Sequence, residues 1–342
     1  MARADLLKQL LSGYQRRDDR AFRAAAEEII LEERKKHHMA VANELEAILG
    51  NRNGTTQLSG SLSAFDPPPQ DPDRRTPLLQ IKRPDRYLDD LVLAPGVRAS
   101  LVRVMEEFSG WEILEANGLR PVRHILFCGP PGCGKTAAAE AMACELSLPL
   151  LYVRFDSVVS SLLGETSANL RRVFDYAQRG QWVVLFDEFD AIGRSRDDLS
   201  EHGEIKRVVN SYLQMMDGFA GRSLVVAATN FENALDPAIW RRFDDVVRFE
   251  RPTVEQVMQL VRMRLRPLRF GDADVVRIAD ELTGAAFSDV ERVCLDVRKA
   301  CALAGNRTVR PEQVSVSLER WGERRRVLDL VAQATAPAVD RE

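Results

Sequence analysis

The feature that most constrains the fold of this chain is a glycine-rich octapeptide between two apolar segments. Residues 129–136 read Gly-Pro-Pro-Gly-Cys-Gly-Lys-Thr and match the pattern GxxxxGK(S/T). The run before it, 124–128, suits a buried strand, and the alanine-rich residues after Thr136 suit a helix. A strand, a glycine loop and a helix in this order indicate a phosphate-binding loop. The glycines let backbone N–H groups close around phosphate oxygens at the helix N-terminus.

The two residues that end this loop carry side chains suited to a nucleotide. Lys135 is expected to reach the β- and γ-phosphates, and the hydroxyl of Thr136 is expected to bind Mg²⁺. The segment therefore predicts ATP and Mg²⁺ as cofactors. Its other candidate nucleotide contacts are Pro131, Gly132, Cys133, Gly134 and Ala137.

Two adjacent carboxylates follow a second apolar run. Residues 183–186 are Val-Val-Leu-Phe, and Asp187 and Glu188 come next. Four apolar residues predict a buried strand that delivers both carboxylates to its C-terminal edge, beside the phosphate loop. Asp187 suits the Mg²⁺ shell together with Thr136. Glu188 is placed to orient or deprotonate an attacking water.

A third apolar run, 224–229, ends at a short polar residue, Asn230. Its amide can hydrogen-bond the water or the γ-phosphate from the other side of the same sheet edge. Eleven residues further on, Arg241 and Arg242 are adjacent on a predicted short helix. Adjacent arginines usually mark a solvated face, but their distance from Asn230 favours arginine fingers that reach the ATP of a neighbouring subunit. With Glu188, these three residues are the candidate catalytic residues.

The apolar pattern divides the chain into four segments. Helical spacing over 1–50 predicts a small all-α N-terminal domain suited to recruiting a partner, and the turn formers and prolines of 51–85 predict a flexible linker. Short apolar runs alternate with helical stretches over 86–251, which predicts an α/β subdomain with a doubly wound parallel sheet. Residues 252–342 are predicted to form a helical subdomain and a C-terminal tail. Its helical patterns cover 254–266, 272–282, 287–304 and 311–320.

Composition argues against several classes of protein. No stretch approaches the roughly 18 consecutive apolar residues of a membrane span, and the first residues lack an apolar core before a small-residue cleavage site. The net charge of −3 argues against a chain that coats nucleic acid by charge alone. The five cysteines show no CxxC spacing and HExxH does not occur, so neither a disulfide framework nor a zinc site is predicted. We therefore expect a cytoplasmic protein without a membrane span.

In this order, the phosphate loop, the acidic pair, the asparagine and the arginine pair resemble the AAA ATPase family, the AAA branch of AAA+ proteins. The resemblance covers residues 85–320 and includes Met-Asp-Gly-Phe at 216–219. Residues 88–92 are similar to a segment whose backbone contacts adenine in that family, which makes Leu91 and Val92 candidates. Residues 282–291 are similar to the segment of the helical lid that lies over the nucleotide, which makes Gly284 and Ala285 candidates.

The resemblance implies a doubly wound sheet with a helical lid subdomain and ring hexamers with ATP sites between subunits. Most members of the family remodel or unfold proteins. Two segments depart from the family's pattern. Threading members carry aromatic–hydrophobic–glycine in a central pore loop, and the aligned residues here are Leu162, Leu163 and Gly164. The arginine segment lacks the Pro-Gly-Arg insertion of the membrane-protease and proteasomal members, and looks more like the branch that disassembles protein polymers.

Three functions therefore stay open. The first is a homo-oligomeric ATPase ring that remodels, unfolds or disassembles a protein client recruited by the N-terminal domain. The second is a nucleotide-dependent switch that controls a separately encoded partner enzyme, such as a protease, without threading. The third is a nucleic-acid motor, for which Arg320 and residues 324–326 form a small basic cluster. A solvated helix end explains that cluster better, so we do not expect a nucleic-acid partner.

Overall fold

The computed structural model describes residues 6, 12, 19–35, 45, 66–72, 75–154, 158, 163–189, 202–230 and 237–335. The chain divides into two compact units. The first, called the sheet unit here, contains the described residues of Met1–Asp90, Ala94–Cys128 and Lys135–Arg248. The second, called the helical unit, contains Leu91–Leu93, Gly129–Gly134 and the described part of Phe249–Glu342.

The sheet unit is built on a six-stranded sheet in the order β1-β3-β4-β5-β2-β6. Strands β2 to β6 are parallel, and β1 pairs antiparallel with β3 at one edge. The predicted parallel α/β sheet is confirmed, and its four apolar runs are β2 to β5. The short polar strands β1 and β6 were not predicted, because three or four residues with a charged end carry little strand signal. The strands are β1 Gln80–Lys82, β2 His124–Cys128, β3 Leu150–Arg154, β4 Val183–Asp187, β5 Leu224–Thr229 and β6 Asp245–Arg248.

Helices cover the sheet because its strands are apolar on both faces. Every residue of β5 is buried, as are all but the last residue of β4. Aromatic side chains link β4 to the helices, since Phe186 lies 5.4 Å from Phe174 and 5.2 Å from Tyr212 between ring centroids. The helices of this unit are α1 Asp19–Lys35, α2 Pro95–Ser109, α3 Trp111–Ala116, α4 Lys135–Glu145, α5 Leu163–Ala177, α6 His202–Asp217 and α7 Pro237–Trp240, with a 3-10 turn at Leu88–Asp90.

Part of the segment predicted as a linker packs into the sheet unit. Leu78 and Leu79 are 1% and 2% exposed and belong to the same apolar core as β4. Asp71 is also buried, and one of its carboxylate oxygens accepts a hydrogen bond of 2.9 Å from the amide of Asn169. The difference has a simple cause: prolines and turn formers surround a short apolar run and obscure it. The prediction of a flexible linker can therefore apply only to residues 51–65. These residues lie outside the part of the chain that the structure describes.

Most of the predicted N-terminal domain also lies outside the described residues, but α1 falls within it. The helical stripe predicted for this segment includes Ala25, Ile29 and Ile30, and all three are buried. These positions recur at the spacing of one helix face. The helix agrees with the prediction for this stretch, and the all-α domain as a whole stays a prediction.

The helical unit is formed by four helices, α8 Val254–Leu265, α9 Asp272–Glu281, α10 Phe287–Leu303 and α11 Pro311–Thr335. Thr253 begins α8 with a reciprocal cap: its hydroxyl accepts from the N–H of Gln256, and the Gln256 side chain accepts from the N–H of Thr253. The core between the helices is aliphatic and includes Val261, Val290 and Cys294. Burial raises the pKa of Cys294 to about 12, so this thiol is neutral and packs as an apolar group.

Helix α11 extends 15 residues beyond the pattern that predicts it, which ended at 320. The helix passes through Gly322, because an isolated glycine costs only about 1 kcal/mol and does not end a helix. Residues 324–326 therefore lie within a helix and are exposed, rather than at a helix end. Among the described helices, none combines the length and apolar character needed to cross a bilayer.

The packing of Leu79 gives a direct test of the boundary between linker and fold. Leu79→Ala should lower the free energy of unfolding by about 2–4 kcal/mol, since it leaves a cavity in the core of the sheet unit. Leu119→Ala is the matched control, because Leu119 is 57% exposed and should change it by less than about 0.5 kcal/mol. Urea denaturation of both variants measures the difference. Equal effects of the two substitutions would mean that residues 78–79 are not part of the core.

Candidate functional site

The candidate residues of the sheet unit meet at the carboxyl ends of three neighbouring strands. Asp187 ends β4, Asn230 follows β5, and β2 leads into the glycine loop. Because these strands are parallel, their carboxyl ends share one edge of the sheet. Lys135 and Thr136 are the first two residues of α4, and Ala137 follows them, half-buried.

Hydrogen bonds hold the Asp187 carboxylate from both of its oxygens. The hydroxyl of Thr136 donates to Oδ2 over 3.0 Å, and the backbone N–H of Glu188 donates to Oδ1 over 3.0 Å. The hydroxyl of Tyr152 also donates to Oδ2, over 3.1 Å. Thr136 and Asp187 were predicted as a pair, whereas Tyr152 was not, because it lies within an apolar run that reads as core.

Lys135 and Asn230 form a second pair at this edge. The Lys135 ammonium donates a 2.8 Å hydrogen bond to Oδ1 of Asn230, and Lys135 is only 6% exposed. A buried ammonium needs oxygen acceptors, because desolvating it without them is costly. An ammonium has three donors, so it can hold the amide oxygen and still bind other oxygens.

Glu188 stands out by its backbone. Its φ angle is +56°, a left-handed conformation that few residues other than glycine adopt. Holding it costs of order 1 kcal/mol, and such conformations cluster at functional sites. The next residue, Phe189, is fully buried and anchors the turn, while Glu188 itself is exposed. The sequence predicts the carboxylate here but contains no signal for the left-handed turn.

Arg241 and Arg242 are both exposed, just after α7, but their surroundings differ. Arg242 forms an ion pair with Asp217 at the end of α6. The side chain of Arg241 makes no hydrogen bond or ion pair with any other residue that the structure describes. Nothing in the sequence pattern distinguishes the two arginines.

The chain after the arginines is anchored to the sheet. Phe243 is 7% exposed and lies edge-on to Phe189, with 6.4 Å between ring centroids. Asp244 accepts hydrogen bonds of 2.9 Å from the backbone N–H groups of Arg123 and His124. Burial raises the pKa of Asp244, but hydrogen bonds from the His124 side chain and these N–H groups outweigh burial and hold the pKa below its usual value. The carboxylate is therefore charged at neutral pH and fixes this segment.

The glycine loop itself packs within the helical unit. Gly132 has a φ of +73°, and a Cβ there would lie 2.2 Å from Oγ of Ser288. Its carbonyl accepts a 3.1 Å hydrogen bond from the N–H of Ser288. At Gly129 a Cβ would lie 2.0 Å from the carbonyl oxygen of Phe249. At Gly129 the close neighbour is backbone, and at both positions φ is positive, so both positions favour glycine. The neighbouring candidates Pro131 and Gly134 lie in the same loop, and Cys133 is buried.

The helical unit contains four other candidates, Leu91 and Val92 from the segment predicted to contact adenine, and Gly284 and Ala285 from the segment predicted to lie over the nucleotide. Val92 and Ala285 are buried in its aliphatic core, 6% and 4% exposed. Leu91 is half-buried, and Gly284, with a φ of +77°, is exposed. The carbonyl of Gly284 accepts a hydrogen bond from the guanidinium of Arg251. With Val92 and Ala285 buried, their side chains are not exposed to a ligand.

One of the three predicted pore-loop residues lies outside the described part of the chain. Leu162 lies outside it, and Leu163 and Gly164 are the first two residues of α5. The described residues contain no group of three or more His, Cys, Asp or Glu side chains able to hold a metal ion by themselves.

Comparisons with known proteins agree with this arrangement. Residues 125–251 match the model of the "ATPase family associated with various cellular activities (AAA)". The chain is also 38% identical over 327 residues to the "Uncharacterized AAA family ATPase y4kL" of Sinorhizobium fredii (strain NBRC 101917 / NGR234). That alignment covers 95% of this chain and 97% of the relative. The predicted family and enzyme class are thereby confirmed, and this chain belongs to the AAA family of ATPases, enzymes that hydrolyse ATP.

Proposed function

We propose that the chain binds ATP with Mg²⁺ and hydrolyses it in a homo-oligomeric ring, a hexamer as the family resemblance implies. The observation that carries this proposal is the hydrogen-bonded set of Thr136 with Asp187 and Lys135 with Asn230 at one sheet edge. It combines an ammonium for phosphate oxygens with a hydroxyl and a carboxylate for a hard cation.

The residues of this set fit Mg²⁺ bound together with a nucleotide. Mg²⁺ prefers oxygen ligands and usually takes only one or two from the protein, completing its shell with phosphates and waters. Thr136 and Asp187 supply a hydroxyl and a carboxylate whose oxygens are 3.0 Å apart. A group of three or more protein ligands is therefore not required to bind Mg²⁺ here. When bound, Mg²⁺ would neutralise charge that develops on the transferring phosphoryl group.

The chemical step needs a water held in line with the γ-phosphate and a group to take its proton. Glu188 is exposed just after β4 and has a left-handed backbone of the kind that clusters at functional sites, which favours it as the base. Asn230 supplies an amide that can orient the same water, and Lys135 stabilises the phosphate oxygens. By the family resemblance, backbone groups of Leu91 and Val92 are the candidates for contacting adenine, and Gly284 and Ala285 are the candidates for the segment that lies over the nucleotide.

The different surroundings of the two arginines favour a division of roles. Arg241, exposed and without an ion pair among the described residues, is the candidate that reaches the ATP of a neighbouring subunit. Arg242 is held by Asp217 and is the candidate that keeps the segment in place. An arginine finger supplied from a neighbour is worth 10³–10⁵ in rate in other nucleotide hydrolases.

For the biological output, we propose that the ring remodels, unfolds or disassembles a protein client recruited by residues 1–50. The support is the family resemblance together with a recruitment-sized segment ahead of the ATPase domain. The alternative is a nucleotide-dependent switch that controls a separate partner enzyme, such as a protease, without threading. The aliphatic Leu162, in place of the aromatic pore residue, favours that alternative.

Two substitutions separate binding from hydrolysis. Lys135→Ala should weaken ATP binding by at least about 100-fold, because the phosphates lose a buried ammonium. Glu188→Gln should keep ATP binding within about twofold and lower kcat by roughly 10²–10⁴, since only the base is lost. Fluorescent-nucleotide titration and phosphate release measure the two effects. Hydrolysis by Glu188→Gln at the wild-type rate would remove Glu188 from the mechanism.

The arginine roles predict recovery of activity in mixed rings. Arg241→Ala should lower kcat by about 10³, whereas Arg242→Ala and Asp217→Asn should lower it equally and by less. Mixing inactive Arg241→Ala with inactive Glu188→Gln should restore hydrolysis, because some interfaces then combine an intact base with an intact arginine. Absence of recovery in rings shown to be mixed would contradict a finger supplied in trans.

The Glu188→Gln protein also discriminates the two outputs. In the ATP-bound trap, a client should co-purify and be lost when residues 1–50 are deleted. Polar replacements of Leu162 and Leu163 should then abolish unfolding of that client if it is threaded. The switch would be supported instead by a partner that binds in an ATP-dependent way and is not unfolded. In that case the replacements of Leu162 and Leu163 should have no effect on the partner.

A further inference from the structure

A tyrosine on β3 reaches the Asp187 carboxylate by the geometry of the sheet. Tyr152 pairs with Leu185 in the register of β3 and β4, so Asp187 lies two residues further along the neighbouring strand. Residues two apart on a strand share a face, and the diagonal between neighbouring strands is within reach of an aromatic side chain. The Tyr152 hydroxyl donates to Oδ2 of Asp187 over 3.1 Å.

A lysine on β1 fixes the tyrosine by the same diagonal. Tyr152 pairs with Gln80, and Lys82 lies two residues further along β1 on the same face. The Lys82 ammonium is 3.7 Å from the centroid of the Tyr152 ring. An ammonium at this distance is attracted to the face of the ring and restricts its orientation.

The lysine is tied in turn to the helix that carries the phosphate-loop threonine. Its ammonium lies 3.9 Å from Oε1 of Glu140, and Oε2 of the same carboxylate lies 4.0 Å from the guanidinium of Arg86. Glu140 is four residues after Thr136 on α4, on the same face of that helix. The contacts therefore form a closed circuit in the sheet unit, running from Thr136 through Asp187, Tyr152, Lys82 and Glu140 back to α4.

The circuit has a specific consequence for the carboxylate. Thr136 alone leaves the Asp187 group able to rotate about its last bond, because one donor to Oδ2 fixes one point. The Tyr152 hydroxyl, from β3, is a second donor to Oδ2, and the Glu188 N–H donates to Oδ1. Together the three donors fix the plane of the carboxylate. Oxygens that are already held in place bind a metal ion more tightly than mobile ones, because binding does not have to order them.

We propose that Tyr152 is a positioning residue that orients Asp187 for Mg²⁺, and that Lys82 holds Tyr152 in place. The proposal rests on the proposed function, because it concerns the metal-dependent part of nucleotide binding. Tyr152 acts through Asp187 and need not touch the nucleotide. If Tyr152 only filled space, its replacement by phenylalanine would have no effect.

The test compares nucleotide affinity with and without the metal in the full-length chain. The ratio of the Kd for ATP in EDTA to the Kd with Mg²⁺ reports the coupling between metal and nucleotide. Tyr152→Phe should lower this ratio roughly tenfold, the size expected for one hydrogen bond to a charged group, and leave the Kd in EDTA unchanged. Lys82→Gln should lower it by a smaller factor, and Lys82→Arg, which keeps a cation over the ring, should restore it.

Tyr176→Phe is the matched control, because its hydroxyl donates over 2.8 Å to the backbone carbonyl of Asp66 in the same unit. It should leave the ratio unchanged. A ratio in Tyr152→Phe within twofold of wild type overturns the proposal. So does equal weakening of ATP binding with and without Mg²⁺, which would indicate a general structural role. If the wild-type chain shows no Mg²⁺ dependence at all, the proposed function fails instead, so the two failures are distinguishable.

Discussion

The arrangement at the sheet edge depends on the carboxylate of Asp187, which is held by donors from three parts of the chain. Thr136 brings the start of α4, Tyr152 brings β3, and the N–H of Glu188 brings the turn after β4. Each donor comes from an element whose position is set by sheet packing. A charged acceptor makes these hydrogen bonds stronger than neutral ones. The same contacts therefore stabilise the strand end and prepare an oxygen for a cation.

The glycine loop meets a different constraint within the helical unit. Gly129 and Gly132 allow backbone to approach Phe249 and Ser288 at distances that exclude any side chain. The Ser288 N–H at the start of α10 then bonds to the loop. The loop's glycines therefore allow close packing within the helical unit, and they are also expected to let the loop close around phosphate. This explains why one short segment can be sensitive to substitution for two separate reasons.

Much of the site follows from the sequence, because motif residues at the ends of apolar runs must meet at one edge of a parallel sheet. This argument placed Thr136, Asp187 and Asn230 together. Tyr152 could not be predicted in this way, because a tyrosine in an apolar run is normally part of the core. Lys82 could not be predicted either, because prolines surround β1. Nor could Arg241 be distinguished from Arg242, because the partner Asp217 is remote in sequence. Helix α11 was underestimated because its predicted pattern ended at residue 320, whereas the helix continues to Thr335.

The central claim is that the Asp187 carboxylate couples metal to nucleotide. The most direct measurement is the affinity of Asp187→Asn for ATP, with Mg²⁺ and in EDTA. The amide keeps the shape of the side chain but removes its charge and one acceptor oxygen. The account predicts an unchanged Kd in EDTA and loss of the tightening that Mg²⁺ produces in the wild-type chain. Full retention of that tightening in Asp187→Asn would contradict it.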